Sequence, residues 1–231
     1  MNSLILFDID ATLVKTGGLG VRAMGLAGQE LFGPAFSTDG LDFAGRIDPL
    51  LVRELFVANG VERGSTVEHD FRKAYARHLR FLFDRSDGHT ALPGVDVLLR
   101  RLSSGHAAAI GLLTGNFAET GSLKLERCGI DPSQFTVAVW GDDSPHEPPA
   151  RDHLPPVAFA RFRERFGRSV DPSRVTIIGD TPHDVRCAKA GGCRALAVAT
   201  GKFSILELER SGPDKVVPDL SATDDLVGWL V

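Results

Sequence analysis

The sequence has no apolar run approaching the roughly 20 residues that a membrane-spanning helix requires. No basic run stands out. With 26 basic residues against 30 acidic ones, its net charge of −4 argues against the electrostatic footprint of a nucleic-acid binder. Cysteine is sparse, and Cys128, Cys187 and Cys193 form an odd set without metal-ligand spacing. They read as reduced, mostly buried thiols of a cytoplasmic protein. The N-terminus lacks a basic region, and Asp8 and Asp10 interrupt its apolar segment early, so no cleavable signal is expected. What remains is ordinary for a globular protein: 43% hydrophobic and 24% charged residues over 231 positions. That length fits one large domain or a domain with an insert.

The most informative segment is Leu4-Ile5-Leu6-Phe7 followed by Asp8-Ile9-Asp10-Ala11-Thr12. The short apolar run predicts a buried strand. Asp8 and Asp10 lie two apart just beyond it, so strand alternation would point both side chains the same way. Two like charges held close persist where a cation sits between them or where one must hold a proton. A bound Mg²⁺ meets the first need, and general acid/base work meets the second. A polar strand end followed by a helix capped at Thr12 would also accommodate these residues.

From Pro93 onward, helix and strand patterns alternate. Helices are expected over 95–102, 118–128, 155–166 and 182–190, and strands over 107–113, 135–140, 175–178 and 195–199. Gly129 and Gly167 close two of the helices, and Pro182 opens another. Near-continuous apolar strands between helices imply a parallel sheet covered on both faces. Ligands bind such sheets beyond the carboxyl ends of the strands, where Asp8, Asp10, Thr114 and Asp180 would lie. The stretch from about 19 to 85 shows helical patterns only. Ser65-Thr66-Val67-Glu68 fits a capping box, and Val67, Phe71, Tyr75 and Leu79 then recur every four residues. Asp48-Pro49 opens another helix. Gly17-Gly18 and Asp87-Gly88 mark the two crossings between this insert and the sheet. The expected division is a Rossmann-like core of residues 1–15 and 89–231 with an α-helical cap of residues 16–88 over the active edge.

Four pieces therefore stand in a fixed order: Asp8-x-Asp10-x-Thr12, a strand ending in Thr114, a basic residue, and Gly179-Asp180-Thr181-Pro182-His183-Asp184. This order resembles the haloacid dehalogenase-like hydrolase superfamily, in its phosphatase branch with a helical cap, along essentially the whole chain. The resemblance implies an α/β fold, a Rossmann-like parallel sheet core with an inserted α-helical cap. It implies a Mg²⁺-dependent hydrolase of a small, soluble, phosphoglycolate-like phosphomonoester. Asp8 would be the nucleophile that forms an aspartyl-phosphate. Asp10 would be the general acid/base and would bind metal through its backbone carbonyl. Asp8 and Asp180 would be side-chain ligands of Mg²⁺, with Asp184 a ligand through water or an acceptor behind the ligands. Thr114 and the Gly115 amide would hold phosphate oxygens, with Asn116 beside them.

Two departures stand out. Ala11 occupies a position where the family usually has Gly, which tolerates unusual backbone angles. The family also usually places a Lys ahead of the last acidic motif, and no lysine lies between Lys124 and Lys189. Arg151, just before a helix, is the candidate replacement, since Arg binds phosphate oxygens in bidentate fashion. A solvated loop arginine would fit the same position. In the insert, Gly45-Arg46 offers a cation toward substrate, or simply a charged cap face. His146, His153 and His183 show no ligand pattern among themselves. A haloacid dehalogenase would use Asp8 but has no need of Asp10, Asp180 and Asp184 together. A sugar-phosphate mutase often lacks the hydroxyl that Thr12 supplies. A non-catalytic regulator on the same scaffold would not need every carboxylate retained.

Overall fold

The computed structural model describes residues 3–105 and 108–231. Six parallel strands form the central sheet: β1 (Ser3–Phe7), β4 (Ala108–Leu113), β5 (Val137–Val139), β6 (Val175–Gly179), β7 (Arg194–Val198) and β8 (Lys215–Val217). They run in the order β5-β4-β1-β6-β7-β8. The order reverses around β1, whose flanking partners are β4 and β6, and such a reversal opens a crevice at the strand C-termini. The sheet confirms the Rossmann-like α/β expectation. Ala107, which the sequence pattern includes in the strand, lies outside the described residues.

Alternation within β1 divides the core. Ile5 and Phe7 pack with Leu98 and Leu102 of α4 (Val95–Ser104) and with Leu226 and Leu230 of α9 (Thr223–Leu230). Leu4 and Leu6 pack on the other face, with Ala158 and Phe162 of α6 (Leu154–Phe166) and Val185 of α7 (Pro182–Ala190). Burying residues on both faces is why the strands read as continuous apolar runs.

A two-residue ribbon of β2 (Val14–Lys15) against β3 (Thr90–Ala91) ties the two crossings together. Between them lie α1 (Leu19–Phe32), α2 (Asp48–Ala58) and α3 (Ser65–Phe83). Their core joins Ala23 and Met24 of α1, Leu55 and Phe56 of α2, and Phe71, Tyr75 and Leu79 of α3. It also takes in Phe117 and Leu123 from the sheet domain, so the helical insert is seated on α5 (Ala118–Arg127). The expected α3 stripe is buried at Phe71, Tyr75 and Leu79. The capping box at Ser65 does not form. Gly64 is the cap residue and Ser65 already lies inside the helix, while Glu68 instead accepts from Arg63 Nε at 2.9 Å. Three elements lay beneath the sequence signal: β8, α9 and the short helix α8 (Ile205–Arg210). Only three, eight and six residues long respectively, they offer little periodicity to detect. Among the described residues, no helix is long and apolar enough to cross a membrane.

Candidate active site

Asp8 follows β1 directly, and its amide donates to the Ile178 carbonyl at 2.9 Å, which holds it against β6. Asp180 follows β6. Asp184 sits in the first turn of α7, where Thr181 caps the helix. The Thr181 amide and hydroxyl donate to Asp184 Oδ2 at 3.0 and 2.7 Å, which leaves Oδ1 turned elsewhere. Arg151 begins a single helical turn ahead of α6. Its Nη2 lies 2.5 Å from Asp184 Oδ1 and 3.2 Å from Asp8 Oδ1, with the side chain only 3% exposed. It also donates to the carbonyls of Leu113 and, from the cap, Gly45, each at 3.3 Å. Arg151 is therefore a buried cation among the acidic residues and not a solvated loop arginine.

Three buried carboxylates thus share one guanidinium. Burial raises Asp8 to about 6, with Arg151 opposing the rise and Asp184 adding to it. Burial, then repulsion from Asp184 and Asp8, raises Asp180 to about 8. Asp8, Asp180 and Asp184 each offer an oxygen within 4.8 Å of the others. Asp8 Oδ1 and Asp184 Oδ1 are buried, and the one partner each has, Arg151 Nη2, meets them as an ion pair without hydrogen-bond geometry. An all-oxygen set with unsatisfied lone pairs fits a hard divalent cation.

The Asp10 side chain does not join this cluster, contrary to the alternation expectation. β1 ends at Phe7, so period-two geometry no longer governs position 10. Asp10 Oδ2 accepts instead from Lys124 Nζ at 2.5 Å and Asn116 Nδ2 at 2.9 Å. Lys124 Nζ also donates to Asn116 Oδ1 at 2.5 Å, and Asn116 Nδ2 to Thr114 Oγ1 at 2.8 Å. Both protons of the Asn116 amide are thus spent within the protein, and neither is turned to a ligand. Thr114 Oγ1 lies between the two clusters, in reach of Asp8. Thr12, in the turn that follows, donates to Asp180 Oδ1 at 3.5 Å and caps no helix.

Lys124 was not singled out from the sequence. The sequence signal for it is a lysine between Leu123 and Leu125, which pack into two different cores on either side of α5. Asp48 was read only as a helix opener. It is buried, its amide donates to the Gly115 carbonyl at 2.7 Å, and its Oδ2 accepts from Phe117 N at 3.0 Å. Burial raises it to about 7, against the pull of Lys124.

Both carboxylate clusters open into one cavity of 380 Å³ between core and cap. Asp8, Asp10, Asp180, Gly115, Asn116 and Arg151 line it from the core, and Arg46, Met24 and Tyr75 from the cap. Arg46 is paired with Glu54 through both guanidinium nitrogens, so its charge is already compensated. Core and cap approach closely here. A Cβ on Gly115 would lie 2.0 Å from the Arg46 carbonyl oxygen, and one on Gly45 would lie 2.3 Å from Thr181 Oγ1. Ala11 has φ of 56°, in the left-handed region that glycine adopts most readily. Its carbonyl accepts from Thr200 Oγ1 at 2.5 Å, and its amide donates to Val14 O at 2.8 Å.

A HAD-hydrolase-like family model matches residues 154–223. A phosphoglycolate phosphatase of Escherichia coli is 30% identical over 151 residues, covering 63% of this chain and 56% of that protein. The match thus spans little more than half the length of that relative. A phosphoglycolate phosphatase of Vibrio parahaemolyticus is 26% identical over 230 residues, covering 97% of this chain and 95% of its own. A hydrolase from Pseudomonas syringae superimposes over 100% of both chains with a TM-score of 0.70 at 20% identity, which attests to the shared fold.

Proposed function

We propose that this chain, a member of the haloacid dehalogenase-like hydrolase superfamily, is a Mg²⁺-dependent phosphatase that forms an aspartyl-phosphate on Asp8. The observation that carries this reading is the Asp8 carboxylate, buried at a strand end and opening into a 380 Å³ cavity that Asp10 and Arg151 also line. A cavity of that size suits a small metabolite. The relatives named as phosphoglycolate phosphatases support a small alkyl phosphate, phosphoglycolate-like, as substrate. Three unpaired thiols, two of them buried, agree with a cytoplasmic setting.

The residues divide the work as follows. Asp8, held 3.2 Å from Arg151 Nη2, which favours its ionised form, attacks phosphorus as the carboxylate. As the new oxygen–phosphorus bond forms, the ester bond breaks, and Asp10 gives its proton to the departing oxygen to release the alcohol. Asp10, now a carboxylate, takes a proton from water as that water attacks the phosphoryl group. The Asp8–phosphorus bond breaks, and phosphate leaves with both carboxyl groups restored to their starting states. Arg151 holds Asp8 in place and supplies positive charge to the equatorial oxygens. Thr114 and the Gly115 amide hold the phosphate from the β4 end, while Arg46, paired with Glu54, lines the cavity from the cap formed by residues 16–88. Asp8, Asp180 and Asp184 would hold Mg²⁺, with the Asp10 carbonyl beside them; when bound, the ion supplies charge neutralisation and phosphate alignment.

Phosphate release over a panel of small phosphomonoesters, with Mg²⁺ and then with excess EDTA, tests this reading. Turnover that chelation abolishes, together with acid-stable-to-quench label on Asp8 from ³²P-substrate, is the expected result. Full activity after exhaustive chelation, or label on another residue, overturns it.

A further inference from the structure

The general-acid role leaves one question open: which oxygen of Asp10 carries the proton, and what keeps it there. Lys124 Nζ and Asn116 Nδ2 converge on one oxygen, Oδ2. Both are donors, and Lys124 has no acceptor capacity. A proton on Oδ2 would face two other protons, so it is excluded from that oxygen. Oδ1 is left for the proton, and the Asp10 side chain remains 42% exposed where it lines the cavity. Oδ2 can accept from the same two donors whether Oδ1 is protonated or bare, so the carboxyl group need not rotate between the two halves of the reaction.

Lys124 also faces the buried Asp48, but its hydrogen bonds go to Asp10 and Asn116. Its side chain is 5% exposed, and burying an ammonium is costly unless it is paired and hydrogen-bonded. It reaches Asp10 from α5, and the cap closes over it. A Cβ on Gly20 of α1 would come within 3.4 Å of both Lys124 Nζ and the Tyr75 hydroxyl of α3. Asn116 completes the arrangement by accepting from Lys124 while donating to Asp10 and Thr114.

We propose that Lys124, braced by Asn116, is a positioning residue that fixes the orientation of the Asp10 carboxyl group, with Oδ2 held by the two donors and Oδ1 facing the leaving oxygen. This rests on Asp10 being the general acid. It makes a selective prediction, because a leaving group that departs unaided does not need that proton. General acid catalysis typically contributes at least about a hundredfold.

The test compares wild type, Lys124→Met and Asp10→Asn on a series of substituted phenyl phosphates and on phosphoglycolate. For each variant the readout is the dependence of kcat on leaving-group pKa. Because that slope compares substrates on one sample, it is insensitive to the fraction of folded enzyme. Asp10→Asn and Lys124→Met should both steepen it, with turnover of the poorest leaving group falling about a hundredfold more than turnover of p-nitrophenyl phosphate. KM should change little. An Asp10→Asn slope that steepens while Lys124→Met keeps the wild-type slope overturns this inference alone. An unchanged slope in Asp10→Asn overturns the general-acid reading, and the inference with it. A uniform loss on every substrate in Lys124→Met assigns the lysine to structure and also overturns the inference.

Discussion

Asp8 and Asp10 are two residues apart, yet they sit in opposite electrostatic settings. Around Asp8, three buried carboxylates share the single guanidinium of Arg151, and two of their oxygens have no hydrogen bond. Around Asp10, one half-exposed carboxylate has a buried ammonium and an amide to itself. The crowded half is unfinished without another cation, which is the state expected of a site that recruits a metal and a dianionic substrate. The balanced half is already complete, which is the state expected of a group that must hold one orientation through a proton transfer. Repulsion and satisfaction are thus used side by side on one strand end.

The comparison breaks most visibly at its centre. Asp8→Asn should abolish phosphate release, because an amide cannot form the acyl phosphate. Measurable turnover with any phosphomonoester would remove Asp8 from the nucleophile role. Next in size is Arg151→Ala, which leaves three carboxylates without the guanidinium they share. We expect kcat to fall by on the order of a hundredfold or more. Arg151→Lys should recover part of that loss, since one ammonium cannot reach both carboxylates and both carbonyls that the guanidinium spans. Near-normal turnover in Arg151→Ala would place the necessary cation elsewhere, with Arg46 the next residue to test.

Third, the crowded half should respond to divalent cation in the absence of substrate. Saturating Mg²⁺ at about 100 times its Kd should stabilise the protein by about 2.7 kcal/mol. In a chain of this size that is a rise in Tm of several degrees. The sign with pH follows from Asp180, whose folded pKa near 8 lies above its unfolded value. The metal-free protein therefore loses stability as pH rises from about 4 towards 8, and the Mg²⁺ effect should be larger at pH 8 than at pH 5. Asp180→Asn should lose most of the shift. An equal shift in that variant would move the metal away from this cluster.

How far this site was legible in the sequence depended on what fixed each residue. Asp8, Thr114 and Asp180 end apolar strands, so the parallel-sheet rule alone gathers them at one edge. Arg151 could be located because the chain has no lysine where one was wanted, but the sequence left it equally a surface residue; only the fold shows Asp8 and Asp184 around it. Lys124 escaped notice because a single lysine in a helix normally reads as solvated. Its partner, Asp10, comes from the far end of the sequence, beyond the reach of any local pattern. The cap helices were readable from their periodicity. The failed cap at Ser65 shows how an available side chain, Arg63, can take the glutamate that a capping box requires.

Two smaller predictions sharpen the boundary between the halves. Asp48 is buried beside the Lys124 cluster with its pKa raised to about 7, so its ionised form costs stability as pH rises from about 4 to 7. Asp48→Asn keeps an acceptor for Phe117 N while removing the charge. It should flatten that slope and stabilise the protein at pH 8 by on the order of 2 kcal/mol, measured by urea denaturation at pH 5 and 8. Identical slopes would mean that Lys124 already neutralises Asp48. The smallest effect concerns Ala11. A left-handed alanine costs about 1–2 kcal/mol relative to an allowed backbone, while glycine gives back about 0.4–1 kcal/mol through its freer unfolded chain. Ala11→Gly should therefore stabilise by no more than about 1.6 kcal/mol and leave kcat within about twofold. A clear destabilisation would show that the methyl group makes contacts that outweigh the strain.

The tight seam between Gly45–Asp48 and the loop after β4 has a consequence for anyone recombining these enzymes. The Arg46 carbonyl leaves no space for a side chain at position 115, the Asp48 amide and carboxylate take up backbone groups of Gly115 and Phe117, and Arg151 leans on the Gly45 carbonyl. A helical lid borrowed from a relative to alter selectivity would have to bring a matching main chain at these four residues. Without it, the recipient would be left with stranded polar groups at the floor of its own pocket. Chimeras are therefore best joined outside this segment: the four residues stay with the host, and the exchange is confined to α1 and α3.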